Sequence, residues 1–249
     1  MSRRLTNLDP RHPSAWRKRI LEREGRFPGA NLTDIAGRID RLLQFLNEPV
    51  KEEWLRGVED KLWQEENGGL LRLRRGRRSA SKEIAHRNGE RDVEFRVLGS
   101  DADKVKCLDG QLIDGVDAFP LVKDKTIEAD MLLLMQHGGG QYRLLLTEVK
   151  IDNENAWYAV IENLLQLKLL QAHQQPHELF RRRLRPSLPD KVPLSGLVLA
   201  PEGYYCKPRK KAASVEPARA LIERLKPLDV DIQLAVWNPA NRSITTLHD

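Results

Sequence analysis

The chain predicts an α/β protein, a mixed central β-sheet flanked by helices, preceded by an N-terminal helical region. Three observations lead there. Two strand-like runs, IEADMLLLMQ (127–136) and QYRLLLTEVKI (141–151), are joined by glycines in a β-hairpin pattern. Their apolar character is near-continuous, as in strands covered on both faces. A long helical pattern (153–174) follows, and strand-type and helix-type segments alternate beyond it.

The elements can be taken in chain order. Residues 31–47 read as a helix: Leu32, Ile35, Ile39, Leu42, Leu43 and Leu46 recur at helical spacing, with Asn31 or Thr33 available as the cap. After Pro49 a second helix is expected over 50–66, ended by Asn67-Gly68-Gly69, with Trp54, Leu55, Val58, Leu62 and Trp63 as core. A short helix is expected over 79–88 and a strand over 92–99. The Asp-, Lys- and Gly-rich stretch 100–126 reads as an inserted loop or weak hairpin. After the long helix come a buried-type strand (194–201), an amphipathic helix (214–226) and a further strand (230–238). The expected organisation is an N-terminal helical region, 1–78, and an α/β domain, 79–249.

Composition narrows the class. With 40% hydrophobic and 31% charged residues in 249, this is a soluble globular composition. The basic start lacks an apolar segment of the kind a secretory signal needs, and nothing approaches the length of a membrane span. Cys107 and Cys206 stand far apart without a CxxC, which reads as reduced, structural cysteine in a cytoplasmic protein. His173 and His177 lack a third ligand and read as surface residues. The net charge is +6, and three basic runs carry much of it. They are Arg72, Arg74, Arg75, Arg77 and Arg78; Arg181, Arg182, Arg183 and Arg185; and Lys207, Arg209, Lys210 and Lys211. Such clusters suit nucleic-acid phosphates, whose neutralisation releases condensed counterions.

The chemistry concentrates at the hairpin. Glu148 and Lys150 are two apart at the end of the second strand and so share a face. Asp130 begins the first strand. If Gly138–Gly140 form the loop, 137 pairs with 141 and Asp130 falls opposite Glu148 on that face; a two-glycine turn moves the register by one and sends Asp130 to the other side. Two carboxylates at one point call for a cation, and oxygen ligation suits Mg²⁺ or Mn²⁺. Lys150 beside it would orient a water or stabilise transition-state charge, held by Glu148 and, as a further source, by the following helix.

EAD (128–130), a hairpin, EVK (148–150) and then a long helix resemble the PD-(D/E)xK nuclease superfamily. The resemblance covers roughly residues 79 to 200, with Ala129 in place of the proline. It implies a restriction-endonuclease-like core and a metal held by Asp130 and Glu148, with the Val149 carbonyl as a further ligand. Lys150 then assists the hydrolytic water. It also implies a glutamate before the first strand, for which Glu83 is the candidate, ahead of Glu90 and Glu59. On the helix, Tyr158, Glu162 and Gln166 recur every four residues; they form either a solvent face or, as in several branches of the family, a stripe touching the lysine or substrate, which makes Gln166 a catalytic candidate. Leu170 stands where the exonuclease branch has a tyrosine. HGGG (137–140) also matches an esterase oxyanion string, but the chain holds no GxSxG elbow.

The expectation is therefore a Mg²⁺- or Mn²⁺-dependent nuclease acting on DNA, its basic runs holding backbone phosphates. The N-terminal helices would serve substrate binding or a homodimer interface. The alternative is a non-catalytic nucleic-acid-binding or scaffold protein with the same fold.

Overall fold

The computed structural model describes residues 12–28, 31–55, 93, 97–98, 105–122, 127–151, 155–173, 180–181, 188–206 and 215–247. The proposed boundary at 78/79 and the helix at 79–88 lie outside them.

The first described helix, α1 (Pro13–Glu24), has Pro at its first position, where no N–H is needed, and His12 capping Ser14. α2 (Leu32–Leu46) starts on Asn31, whose side chain accepts from the amides of Thr33 and Asp34 at 3.0 and 3.4 Å. It buries Ile35, Ile39, Leu42 and Phe45 as one stripe. The helix expected after Pro49 does not begin there: Glu52–Trp54 make a single 3-10 turn, and Leu55 forms a bridge with Val122. Residues 56–66 lie outside the described segments. Of the strand expected over 92–99, Val93 and Val97 are helical.

The sheet instead takes strands from the polar stretch before the hairpin. β1 (Lys106–Cys107) turns tightly through Leu108, at φ 52°, and Asp109 into β2 (Gly110–Pro120). β2 runs antiparallel to β3 (Glu128–Gln136), with a register shift between Leu112 and Asp114. That irregularity breaks the two-residue alternation and hides a long strand from a periodicity reading. β3 pairs antiparallel with β4 (Tyr142–Val149), which pairs parallel with β5 (Leu194–Ala200). β5 pairs parallel with β6 (Ile232–Asn238), and β6 antiparallel with β7 (Ser243–Thr246).

The other edge of β1 pairs parallel with β7, so the seven strands form a closed mixed barrel. This corrects the expected sheet flanked by helices, and with it the restriction-endonuclease-like core. The reason lies in how the two faces are covered. One face is covered by helices, in a cluster joining Leu144 and Leu146 to Leu164, Leu42 and Leu221. The other gathers Met131, Leu133, Leu145, Leu197, Trp237 and Ile244 with Cys107 and Leu112, chiefly strand side chains covering one another. Closure removes the exposed edges that an open sheet has to protect.

On the helical face, α3 (Ala156–Ala172) starts on Asn155, which caps Tyr158 at 2.8 Å. It lies against β4 and β5, with the Asn163 amide donating to the Leu146 carbonyl at 2.9 Å. Gly196 permits this approach, because a Cβ there would stand 2.0 Å from Asn163 Oδ1. α4 (Glu202–Cys206) and α5 (Glu216–Leu225) occupy the connection from β5 to β6. Ile20 and Leu21 of α1, and the α2 stripe, belong to the same apolar cluster as α3. His173, expected at the surface, is buried with its ring 3.1 Å from the Leu121 carbonyl. Cys107 is a buried free thiol, its pKa pushed up to about 12 by burial and, secondarily, by the charge of Asp109. Among the described residues no helix is long and apolar enough to cross a membrane.

Candidate active site

The turn between β3 and β4 sets the register on which the site depends. Gly138–Gly140 form the loop, with Gly139 and Gly140 at φ 79° and 78°, the left-handed region that glycine enters without strain. His137 donates its amide to the Gln141 carbonyl at 2.7 Å, and Gln136 pairs with Tyr142. HGGG is thus a hairpin turn. Pairing runs unbroken to Met131 opposite Thr147, one step short of Asp130 and Glu148. There the Val149 amide donates to Asp130 Oδ2 at 2.7 Å, tying the two strand ends together.

Glu148 and Lys150 point toward α3 and are buried, 4% and 7% exposed. Lys150 Nζ lies 2.7 Å from Glu148 Oε1 and 3.0 Å from Glu162 Oε2. Gln166 Nε2 donates to Glu148 Oε2 at 2.6 Å and to the Glu128 carbonyl at 3.2 Å. The stripe on α3 is therefore not a solvent face. Glu162 and Gln166 hold Lys150 and Glu148, while Tyr158 packs its ring close to Gly25, beyond the end of α1.

One contact comes from outside the constellation read in the sequence: Arg17 of α1 pairs with Glu162 Oε1. Nothing in the local sequence singles Arg17 out, since it is one cation in the run RKR (17–19). Glu162 had a visible signal, its four-residue spacing from Gln166.

The electrostatics follow from burial and from the count of charges. Burial pushes the Glu148 carboxyl well above the usual carboxylate range, and the charges of Asp130 and Glu162 push it further, against the pull of Lys150. Burial acts on Glu162 in the same sense, but Lys150 and Arg17 outweigh it and hold that carboxyl below its usual range. Among the described residues, Glu148 and Glu162 share Lys150 and Arg17, and Asp130, half-buried, adds a third carboxylate to the cluster.

Among the described residues no three His, Cys, Asp or Glu side chains are grouped as a ready-made metal cage. Mg²⁺ does not require one, since it is commonly held by one or two carboxylates, waters and substrate phosphates. An ion at this point would be held by Asp130 and Glu148, with the Val149 carbonyl as a further donor, in exchange for some of their present contacts to Lys150, Gln166 and the Val149 amide.

The remaining sequence candidates divide simply. Glu83, Glu90, Glu59, Arg72, Arg74, Arg75, Arg77, Arg78, Arg182, Arg183, Lys207, Arg209, Lys210 and Lys211 lie outside the described residues. Arg181 is described: it is half-buried and paired with Asp190. The chain matches no protein-family model, and no curated protein or solved structure is significantly similar to it.

Proposed function

We propose that the chain is a divalent-cation-dependent phosphodiesterase acting on nucleic acid, with DNA as its substrate and PD-(D/E)xK-type chemistry at Asp130, Glu148 and Lys150. The observation that carries this reading is a buried ammonium held between two buried carboxylates, Glu148 and Glu162, with Asp130 tied to the end of the same strand. Burying so many ionisable groups together is costly in a purely structural cluster and useful in one that receives a cation and an anion. The kinship is proposed for the site chemistry alone, because the closed barrel departs from the core that the resemblance implies.

A divalent cation, when bound, would supply Lewis acidity and polarise a phosphoryl oxygen. Asp130 and Glu148 would hold it, and the Val149 amide orients Asp130. Gln166 orients Glu148, and the buried wall of α3 excludes bulk water. Lys150 presents an ammonium where negative charge builds on the phosphoryl oxygens as water adds to phosphorus and the ester oxygen leaves.

The overall charge of +6 supports a polyanionic substrate, and the buried thiol of Cys107 agrees with a cytoplasmic setting. The test is cleavage of supercoiled plasmid, linear duplex and single strands with Mg²⁺ or Mn²⁺. Cleavage that Lys150→Ala abolishes is the expected result. Salt-sensitive binding with no cleavage by the wild-type protein would overturn the enzyme in favour of a binding protein.

A further inference from the structure

α1 is remote in sequence from the hairpin, yet its seat on α3 is closely defined. The Trp157 indole donates to the Glu24 carbonyl at 2.6 Å, and Arg41 of α2 takes the Glu24 carboxylate with two nitrogens, at 2.8 and 2.9 Å. Ile20 and Leu21 are buried in the shared core. With its C-terminal end anchored beside Trp157, the helix carries Arg17, about two turns earlier, over Glu162.

Glu162 then divides its oxygens between two cations. Oε1 receives Arg17 and Oε2 receives Lys150. A carboxylate turns easily about its last torsion, so a single partner leaves its orientation loose and two opposed partners set it. Lys150 likewise meets two anions among the described residues, Glu148 and Glu162. A dication held by Glu148 would weaken that residue's hold on the ammonium and leave more of the anchoring to Glu162. We propose that Arg17 is a positioning residue of this site: by occupying one oxygen of Glu162 it turns the other toward Lys150 and aims the ammonium at the phosphodiester held beside Asp130 and Glu148. The inference rests on the phosphodiesterase reading and adds to it a residue from the N-terminal helix.

Arg17→Met keeps most of the aliphatic stem, and Arg17→Lys keeps the charge. In the full-length protein with Mg²⁺ and duplex substrate, Arg17→Met is expected to lower kcat about tenfold, with KM within about threefold, the size of effect seen when an outer partner of a functional group is removed. Arg17→Lys is expected to recover part of the loss. Adding Arg17→Met to Glu162→Gln should cost less than about twofold more, because Arg17 acts through Glu162. Losses that simply multiply would overturn the proposal. So would a raised KM at unchanged kcat together with a salt slope lowered by about one, since Arg17 would then be touching a phosphate itself. Should Arg17→Met not fold, Arg17→Lys and Glu162→Gln complete the same cycle.

Crystal structures of the metal-free wild type and Arg17 variants separate this idea from the activity. Displacement of Lys150 Nζ from Glu162 Oε2 in Arg17→Met supports the aiming role even if the wild type cleaves nothing and the phosphodiesterase reading falls. An unmoved Lys150 overturns it.

Discussion

Glu24 and Glu148 are both almost fully buried carboxylates, 1% and 4% exposed, and α3 packs against the surroundings of each. Glu24 closes α1 onto α2. Arg41 grips both its oxygens and Arg23 adds a contact at 3.0 Å, while the bond to Glu24 holds the Arg41 guanidinium above its ordinary range. Cations there match or exceed the charge they meet, in the bidentate geometry that makes Arg–carboxylate pairs strong. Glu148 shares a single ammonium with Glu162 and faces Asp130 as well. The same residue type, equally buried, meets arginines in one place and two further carboxylates beside a lysine in the other. Crowding of carboxylates is a stronger pointer to a ligand site than burial is.

The largest expected effect that sharpens this contrast is Glu148→Gln. Mg²⁺-dependent cleavage should fall by at least about a hundredfold, because an amide binds a hard cation poorly. Stability should move the other way. With its pKa raised in the fold, Glu148 retains a proton that the unfolded chain releases. Its ionisation therefore costs stability progressively as pH rises above the unfolded value of about 4.3. In metal-free buffer at pH 8, Glu148→Gln should melt about 2–4 °C higher than the wild type, and the gap should narrow toward pH 4. A lower melting temperature across that whole range would show that Glu148 is as well compensated as Glu24 and would break the comparison.

Glu24→Ala should do the reverse. Leaving Arg41 without its anion is expected to lower the unfolding free energy by about 2 kcal/mol in urea denaturation, a value reduced for the partial exposure of Arg41. Turnover per folded molecule should fall by no more than the roughly tenfold expected of Arg17→Met, because Glu24 reaches the site only through the seat of α1. A loss of turnover as large as that of Glu148→Gln would place Glu24 in the site.

The smallest effect tests the scaffold beneath both regions. Gly196→Ala brings a Cβ within 2.0 Å of Asn163 Oδ1, and overpacking of this kind costs about 1–3 kcal/mol. Combining it with Asn163→Ala should lessen the penalty. An equal penalty with and without the asparagine would show that α3 is not held away from β5 at this point.

Local patterns were legible where one segment settles its own geometry. The apolar runs of β3 and β4, the α3 pattern and the α2 stripe all match the elements found, and of the two possible α2 caps Asn31 takes the role. The three-glycine loop that places Asp130 opposite Glu148 was one of two registers the sequence left open. The stretch 100–126, read as an inserted loop or weak hairpin, holds the antiparallel pair β1–β2, and the length of β2 was hidden because its register shift at Leu112–Asp114 scrambles the alternation. α1 escaped because half of its residues are charged and two of its buried apolar members, Ile20 and Leu21, are adjacent instead of spaced as a stripe.

The sequence by itself determined the identity and spacing of Asp130, Glu148, Lys150, Glu162 and Gln166, since strand and helix periods put residues two or four apart on a common face. Only the tertiary structure decided that the sheet closes, because closure depends on β1 reaching β7 across 136 residues of chain, a pairing no local pattern encodes. It decided too that Arg17, rather than any neighbouring cation, meets Glu162. Which turn of a helix faces a distant side chain is set by how two helices dock, and here that docking is governed by Trp157, Glu24 and Arg41.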